Sequence, residues 1–234
     1  MRTTAAALLG VSLMLAAVLF GSFFYRARRN DSTIKVTGAA TRRYQADIAK
    51  WRISVGRSVG LTGLNAGYSG LRADHDALLK FLSARAVPET CISIQPVNRS
   101  YNYDRDGNIT GYTLSQNFDV VTTDPAAVEK LALSLDMLYE QGVALQNSTL
   151  EYYLSNLPEI KKELIAEATR DARTRAEEIA RNSGARLGRV ESARAGVFQI
   201  TEPYSTEVTD YGIYSTTTRE KDVTITVTAT FGLR

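Results

Sequence analysis

The chain has 234 residues, 44% of them hydrophobic, which suits one globular domain with a short appendage and argues against a disordered polymer. Its formal charge of +3 resides in the first 29 residues, where Arg2, Arg26, Arg28 and Arg29 stand without an acidic partner; removing those four from the 28 basic residues leaves 24 against 25 acidic ones over 30–234. A neutral domain lacks the basic surface that a phosphate backbone requires, so no nucleic-acid partner is expected.

In chain order, the first element is apolar. No charge occurs from Thr3 to Tyr25, and Ala5–Leu19 is almost wholly hydrophobic. About 20 residues at 1.5 Å rise cross a hydrocarbon core, so this segment is predicted to be a transmembrane helix in contact with the bilayer through residues 4–25. Signal-peptide cleavage favours small residues three and one positions before the cut. Leu19-Phe20-Gly21 and Phe20-Gly21-Ser22 both place a bulky residue at the first of these, so 1–29 is expected to remain as an uncleaved signal-anchor with a basic flank.

Asn30–Thr33 reads as a polar connector, and Ile34–Gly38 as a brief strand. Asp47–Val59 is a longer strand with Trp51, Ile53 and Val55 on one face. Leu61, Leu64, Tyr68, Leu71, His75, Leu78 and Leu82 recur at spacings of three and four, which predicts a helix with one apolar stripe. Strands follow at Thr90–Tyr103 and Gly111–Thr122. Asp104–Asn108 between them reads as an Asp-Gly hairpin turn rather than a calcium loop, because Ile109 and Ser115 stand where such a loop needs Gly and Glu.

Asp124-Pro125 opens a second helix, ended by Gly142, with Asp124 as its N-cap. A strand at Leu145–Leu154 leads to a helix at Pro158–Ser183 that carries Ala168, Ala172, Ala176 and Ala180 at i+4 spacing, a ridge that permits close approach of a sheet or helix. A strand near Gly188–Ile200, a Thr/Ser/Tyr-rich loop at Thr201–Arg219 and an alternating strand at Val223–Phe231 complete the chain. The order strand, helix, strand, strand over 47–122 recurs over 145–231. The expected fold class is therefore α+β: duplicated units forming mixed or antiparallel sheet packed by long helices, with both halves sharing one core inside a domain of residues 30–234.

The catalytic inventory is short. There is no phosphate-binding glycine loop, no GxSxG, no HExxH and no CxxC. The lone Cys91 reads as a small hydrophobe in a strand, and the lone His75 as a core or boundary side chain with acidic neighbours Asp74 and Asp76. No catalytic, cofactor-binding or metal residue is assigned, no cofactor is expected, and the protein is not expected to be an enzyme. Asn-x-Ser/Thr triplets at Asn30, Asn98, Asn108 and Asn147 carry meaning only in a glycosylating secretory pathway. Tyrosines gather at Tyr101 and Tyr103, Tyr152 and Tyr153, and Tyr204, Tyr211 and Tyr214; they suit packing at strand rims or a contact surface.

The run Ile34-Lys35-Val36-Thr37-Gly38-Ala39-Ala40, followed by Ala46–Ser54, resembles the opening of the SIMPL-domain family, in particular its bacterial periplasmic branch. Gly111-Tyr112 leading to Thr123-Asp124, Gln141-Gly142-Val143, and the Ala180–Gly188 helix ending agree with it. The resemblance covers roughly 34–232. It implies a duplicated α+β fold, export behind a signal or anchor helix, homo-oligomerisation and a loose link to envelope or oxidative stress, with no established catalytic residues. Arg26, Arg28 and Arg29 against Arg2 would by themselves favour a cytoplasmic domain; the resemblance places it instead in the periplasm, tethered to the inner membrane. The expected function is that of an exported envelope protein acting by self-assembly or partner binding, the alternative being a small-molecule or peptide-binding module with a helix–sheet pocket. Val223–Phe231, with four threonines on its second face and no charge to blunt it, is expected to be an adhesive edge strand, and Thr201–Arg219 to cover a neighbouring copy.

Overall fold

The computed structural model describes residues 2–28 and 32–234, with side-chain surroundings for 10–25 and 32–234. Asn30 and Asp31, in the expected connector, lie outside the described residues, as do the side chains of Arg26, Arg28 and Arg29. Helix α1 (Arg2–Arg28) forms where the apolar run predicts a helix. The transmembrane reading is corrected: among the described residues, no helix is long and apolar enough to cross a membrane.

The rest is α+β with two five-stranded sheets instead of the expected continuous one. One sheet holds β2 (Ile48–Gly60), β3 (Ile92–Ile94), β4 (Asn98–Tyr103), β5 (Ile109–Thr122) and β6 (Leu145–Tyr153). In it β2 lies between β5 and β6, and β3 and β4 both pair with the far side of β5. The other sheet is formed by β1 (Thr33–Gln45), β7 (Leu187–Ala195), β8 (Gln199–Thr201), β9 (Ile213–Tyr214) and β10 (Glu220–Leu233), with β1 on one side of β10 and β7 and β8 on the other. Every pairing is antiparallel except β8 with β9.

The two expected units therefore exchange strands. β6, assigned by sequence order to the second unit, pairs with β2 of the first, with Trp51 opposite Leu150 and Ala49 opposite Tyr152. β1, which precedes the first unit, pairs along its whole length with β10 of the second. The core is divided as well. Trp51, Ile53, Val55, Leu114 and Phe118 pack against Leu71, Leu78 and Leu82 of α2 (Leu64–Ser83). The short helices α3 (Pro125–Ala132) and α4 (Asp136–Glu140), which replace the single helix expected after Asp124, close the end of that core with Val128 and Leu138. The second sheet packs its own apolar residues against α5 (Leu157–Asn182). The chain passes from one core to the other within two residues, since Tyr152 belongs to the first and Leu154 to the second.

The alanine ridge acts as its spacing suggests. Ala168, Ala172, Ala176 and Ala180 are all buried, and α5 presses onto β1 at Gly38, where a Cβ would lie 2.2 Å from Ala172 N and 2.3 Å from Ala168 O. β10 alternates as expected, with Val223, Ile225, Val227, Ala229 and Phe231 buried. The edge-strand reading is wrong, however: β10 is central, bonded to β1 on one side and to β7 and β8 on the other. Its threonines instead join across strands, Thr37 to Thr228 at 3.0 Å and Thr41 to Thr224 at 2.9 Å between hydroxyls. Two other strands are broken where the chain cannot continue a ladder: Pro96 separates β3 from β4, and Gly196 stands between β7 and β8.

Candidate functional site

The outer shoulder of α2 and the edge of the first sheet enclose an open groove of about 660 Å³. On α2, the buried positions Leu71, Leu78 and Leu82 fix which side meets the sheet. Asn65, Ser69, Arg72 and Asp76 then follow at steps of three and four along one shoulder of the helix, with Tyr68 beside Ser69, so the groove wall is a helical line of mostly polar side chains. Gln116 of β5 and Val97, in the bend after Pro96, complete the opposite wall.

A hydrogen-bonded chain runs along the floor. Gln116 is 9% exposed, and its Nε2 donates to Gln95 O at 3.0 Å, which leaves its Oε1 as an acceptor. His75 Nδ1 lies 3.1 Å from that Oε1 and must be the donor. In the neutral imidazole this makes Nδ1 the protonated nitrogen and Nε2 a bare acceptor. The ring is also held edge-on against Phe118, with centroids 5.4 Å apart. His75, expected as a core or boundary residue, is thus half-buried in the groove, oriented by an amide that the sequence did not single out.

Asp74, the neighbour of His75, points the other way. It is 2% exposed and accepts two bonds from Arg57, Nε to Oδ2 at 2.7 Å and Nη2 to Oδ1 at 2.6 Å. Bonding to Asp74 raises the Arg57 pKa further above its ordinary value, against the lowering effect of burial. Its position three residues after Leu71 and four before Leu78 was the available signal that this carboxylate faces inward.

The remaining candidates disperse. Cys91 is half-buried and free, but it ends a 3₁₀ turn, Glu89–Cys91, instead of lying in a strand. The Asp104–Asn108 turn is a hairpin turn as expected: Asp104 Oδ1 accepts from the backbone N–H of Asp106 at 3.0 Å and Asn108 at 2.8 Å, and Gly107 takes φ +84. Bonds from the Asn108 backbone and side chain hold the Asp104 carboxyl below its usual pKa. Asn98, Asn108 and Asn147 are exposed, and Asn30 lies outside the described residues. Among the described residues, no group of three or more His, Cys, Asp or Glu is placed to hold a metal.

The tyrosines divide by environment. Tyr101 and Tyr103 are exposed on β4, with Tyr101 5.6 Å from Tyr112 and the Arg99 guanidinium 5.8 Å and 5.7 Å from the Tyr101 and Tyr112 ring centres. Tyr204 and Tyr211 are exposed in the loop before β9. Tyr152, Tyr153 and Tyr214 belong to the junction between the sheets, where Tyr214 Oη accepts from Leu154 N at 3.1 Å and Thr216 O accepts from Tyr152 N at 2.8 Å.

That junction is tied down by Lys221, which carries no motif. Its side chain is wholly buried, and its Nζ donates to Ser215 O at 2.6 Å and Thr218 O at 2.8 Å. Burial pushes its pKa down to about 8, against the opposing charge of Glu202. Lys221 shares the parity of Val223 and Ile225, which was the signal that it points inward.

A family model described as "SIMPL: Protein of unknown function (DUF541)" matches residues 34–231. No curated protein matches the chain. Among solved structures, the regulatory subunit of aspartate kinase from Thermus flavus aligns at 12% identity over 83% of this chain and 89% of that one, with a TM-score of 0.17, too low to carry any argument.

Proposed function

Because the chain belongs to the SIMPL family, whose description assigns no activity, we propose from its own geometry that it works as a binding module, with the α2–β5 groove as the site. The observation that carries this is the His75–Gln116–Gln95 chain, which holds an imidazole in one tautomer beside a cavity of several hundred Å³ with convergent polar walls. His75 is the only histidine, so its imidazole resonances report the groove alone. A screen of small metabolites and short peptides, followed at those resonances by NMR, should yield at least one saturable shift that is lost in Gln116→Leu. A library of several hundred compounds without any such shift overturns the reading.

A second reading is self-association, favoured by two open strand edges. β7 is exposed along most of its length, with Val190 57% exposed, and among the described residues its one strand partner is β10. β6 pairs with β2 on one side and carries Gln146-Asn147-Ser148-Thr149, a stretch with neither charge nor proline. Light scattering on residues 30–234 across a concentration series should give a mass above one chain, and a strictly monomeric mass at the highest concentration removes this reading.

The location proposed is the outer side of the bacterial inner membrane, with α1 in contact with lipid. Support comes from α1 itself, whose Leu13, Met14, Val18, Phe20 and Phe23 are each more than half exposed and call for apolar surroundings. A role in envelope or oxidative stress would follow from that location and from the family resemblance. Vesicle flotation of the full chain against residues 30–234 tests the lipid contact, and an alkaline phosphatase fusion after Arg234 tests the compartment. Equal flotation of both proteins, or an inactive phosphatase, goes against the respective claim.

A further inference from the structure

Arg72 and Asp76 lie one helical turn apart on the groove wall, at the i,i+4 spacing at which opposite charges ordinarily pair. Neither side chain makes an ion pair or a hydrogen bond among the described residues. The order is the less favourable one, cation before anion along the helix, so their mutual attraction is weak. Both ends are therefore open toward the same cavity. Beside Asp76, His75 presents Nε2 as a second acceptor, because Nδ1 is committed to Gln116. Below them Tyr68 and Val97, 41% and 40% exposed, supply apolar surface.

We infer that the groove takes a zwitterion of the α-amino-acid class with an apolar side chain. Arg72, a planar fork of donors, meets the carboxylate. Asp76 and His75 Nε2, acceptors on the next turn, meet the ammonium group. Tyr68 and Val97 cover the side chain. An anion alone would leave Asp76 opposed to it, and a cation alone would leave Arg72 opposed; a ligand carrying both charges a few ångströms apart satisfies both. The inference rests on the groove being a binding site and specifies what that site recognises.

The test uses the full chain and three probes: L-leucine, N-acetyl-L-leucine, which lacks the ammonium charge, and L-leucinamide, which lacks the carboxylate. The His75 imidazole resonances are followed by NMR. L-leucine should shift them saturably, and each blocked analogue should bind at least about tenfold more weakly. Arg72→Gln should remove the preference for leucine over leucinamide, and Asp76→Asn the preference over N-acetyl-leucine. Both side chains are exposed and unpaired, so the melting temperatures should stay at the wild-type value. If the blocked analogues bind as well as leucine, the groove stands as a binding site and the zwitterion is overturned. If leucine and both analogues leave His75 unmoved while another compound of the screen shifts it, the zwitterion alone falls; if nothing shifts it, both readings fall.

Discussion

Arg57 and Asp74 meet in a two-point ion pair beneath α2, and the same guanidinium donates from Nη2 to Gly142 O at 3.1 Å, so one side chain joins β2, α2 and the turn after α4. Gly70 leaves room for it: a Cβ there would lie 2.7 Å from Arg57 Cδ. This pair lies on the same inward side of α2 as Leu71, Leu78 and Leu82 and reinforces the facing that they give the helix.

Removing one partner of this pair should cost far more than removing both. Asp74→Ala leaves an uncompensated guanidinium, and a loss of about 3 kcal/mol is expected, at the low end for a buried pair because Arg57 keeps a third of its side chain in water. Urea unfolding of Asp74→Ala, Arg57→Met and the double variant measures the coupling. Strictly additive losses would mean that the pair does not act as a unit.

The contact between α5 and β1 leaves no space for a side chain at Gly38. Gly38→Val should destabilise by about 2–3 kcal/mol or more, since the clashing atoms are Ala172 N and Ala168 O of the helix backbone. Gly60→Ala, with nothing within 4 Å of the added Cβ, should stay within about 0.5 kcal/mol of wild type. Thermal melts of both decide it; equal effects would mean that α5 does not lie on β1 as described.

Lys221 makes a pH prediction whose sign is opposite to that of a paired lysine. Its pKa is about 8 in the folded protein against 10.5 ordinarily, so the unfolded chain holds the proton more tightly. Burial of the charged form is a penalty below pH 8 that is relieved as pH rises, and the contribution of this group to stability should grow between about pH 8 and 10.5. The slope approaches at most about 1.4 kcal/mol per pH unit. Denaturant melts at pH 7.5, 8.5 and 9.5 should show this rise in the wild type and not in Lys221→Met. A wild-type curve parallel to that of the variant would dismiss the buried lysine as the cause.

Thr226→Pro separates a central strand from an edge. Thr226 lies opposite Ala39 of β1, and its carbonyl accepts from Gly196 N at 2.8 Å on the other side. Proline in a strand bonded on both sides removes a ladder donor and obstructs the sheet, so loss of the folded state is expected. Far-ultraviolet circular dichroism reads it directly: a folded, cooperative Thr226→Pro protein would return β10 to an edge.

Local pattern carried much of the fold, and its failures have identifiable causes. The alternation of Val223 to Phe231, the seven- and four-residue spacing of Leu71, Leu78 and Leu82, and the alanine ridge each predicted both an element and its buried face, because periodicity records which side of an element leaves water. The patterns of Thr90–Tyr103 and Asp124–Gln141 each predict one element where the structure has two, since Pro96 and the bend at Leu133–Leu135 interrupt hydrophobic patterns that continue across them. The groove was half legible. Tyr68 and His75 stood in the helix stripe, but Gln116 was hidden, because an amide in an alternating strand does not say which partner satisfies it.

By itself, the sequence determined most of the elements, the inward faces of the strongly periodic ones and the Asp104 turn, all of which depend on residues near one another in the chain. Partners across the chain were decided only by the tertiary structure. The exchange of β1 and β6 between sheets, the central place of β10, the Arg57–Asp74 pair and the burial of Lys221 join residues from 17 to more than 100 positions apart, or bury a group under a loop that folds back over it. Strand alternation specifies a face and leaves the neighbour open; any strand with a complementary buried face can pair. The choice among them is made by the whole set of packed side chains, of which α5 against Gly38 and Tyr152 opposite Ala49 are two members.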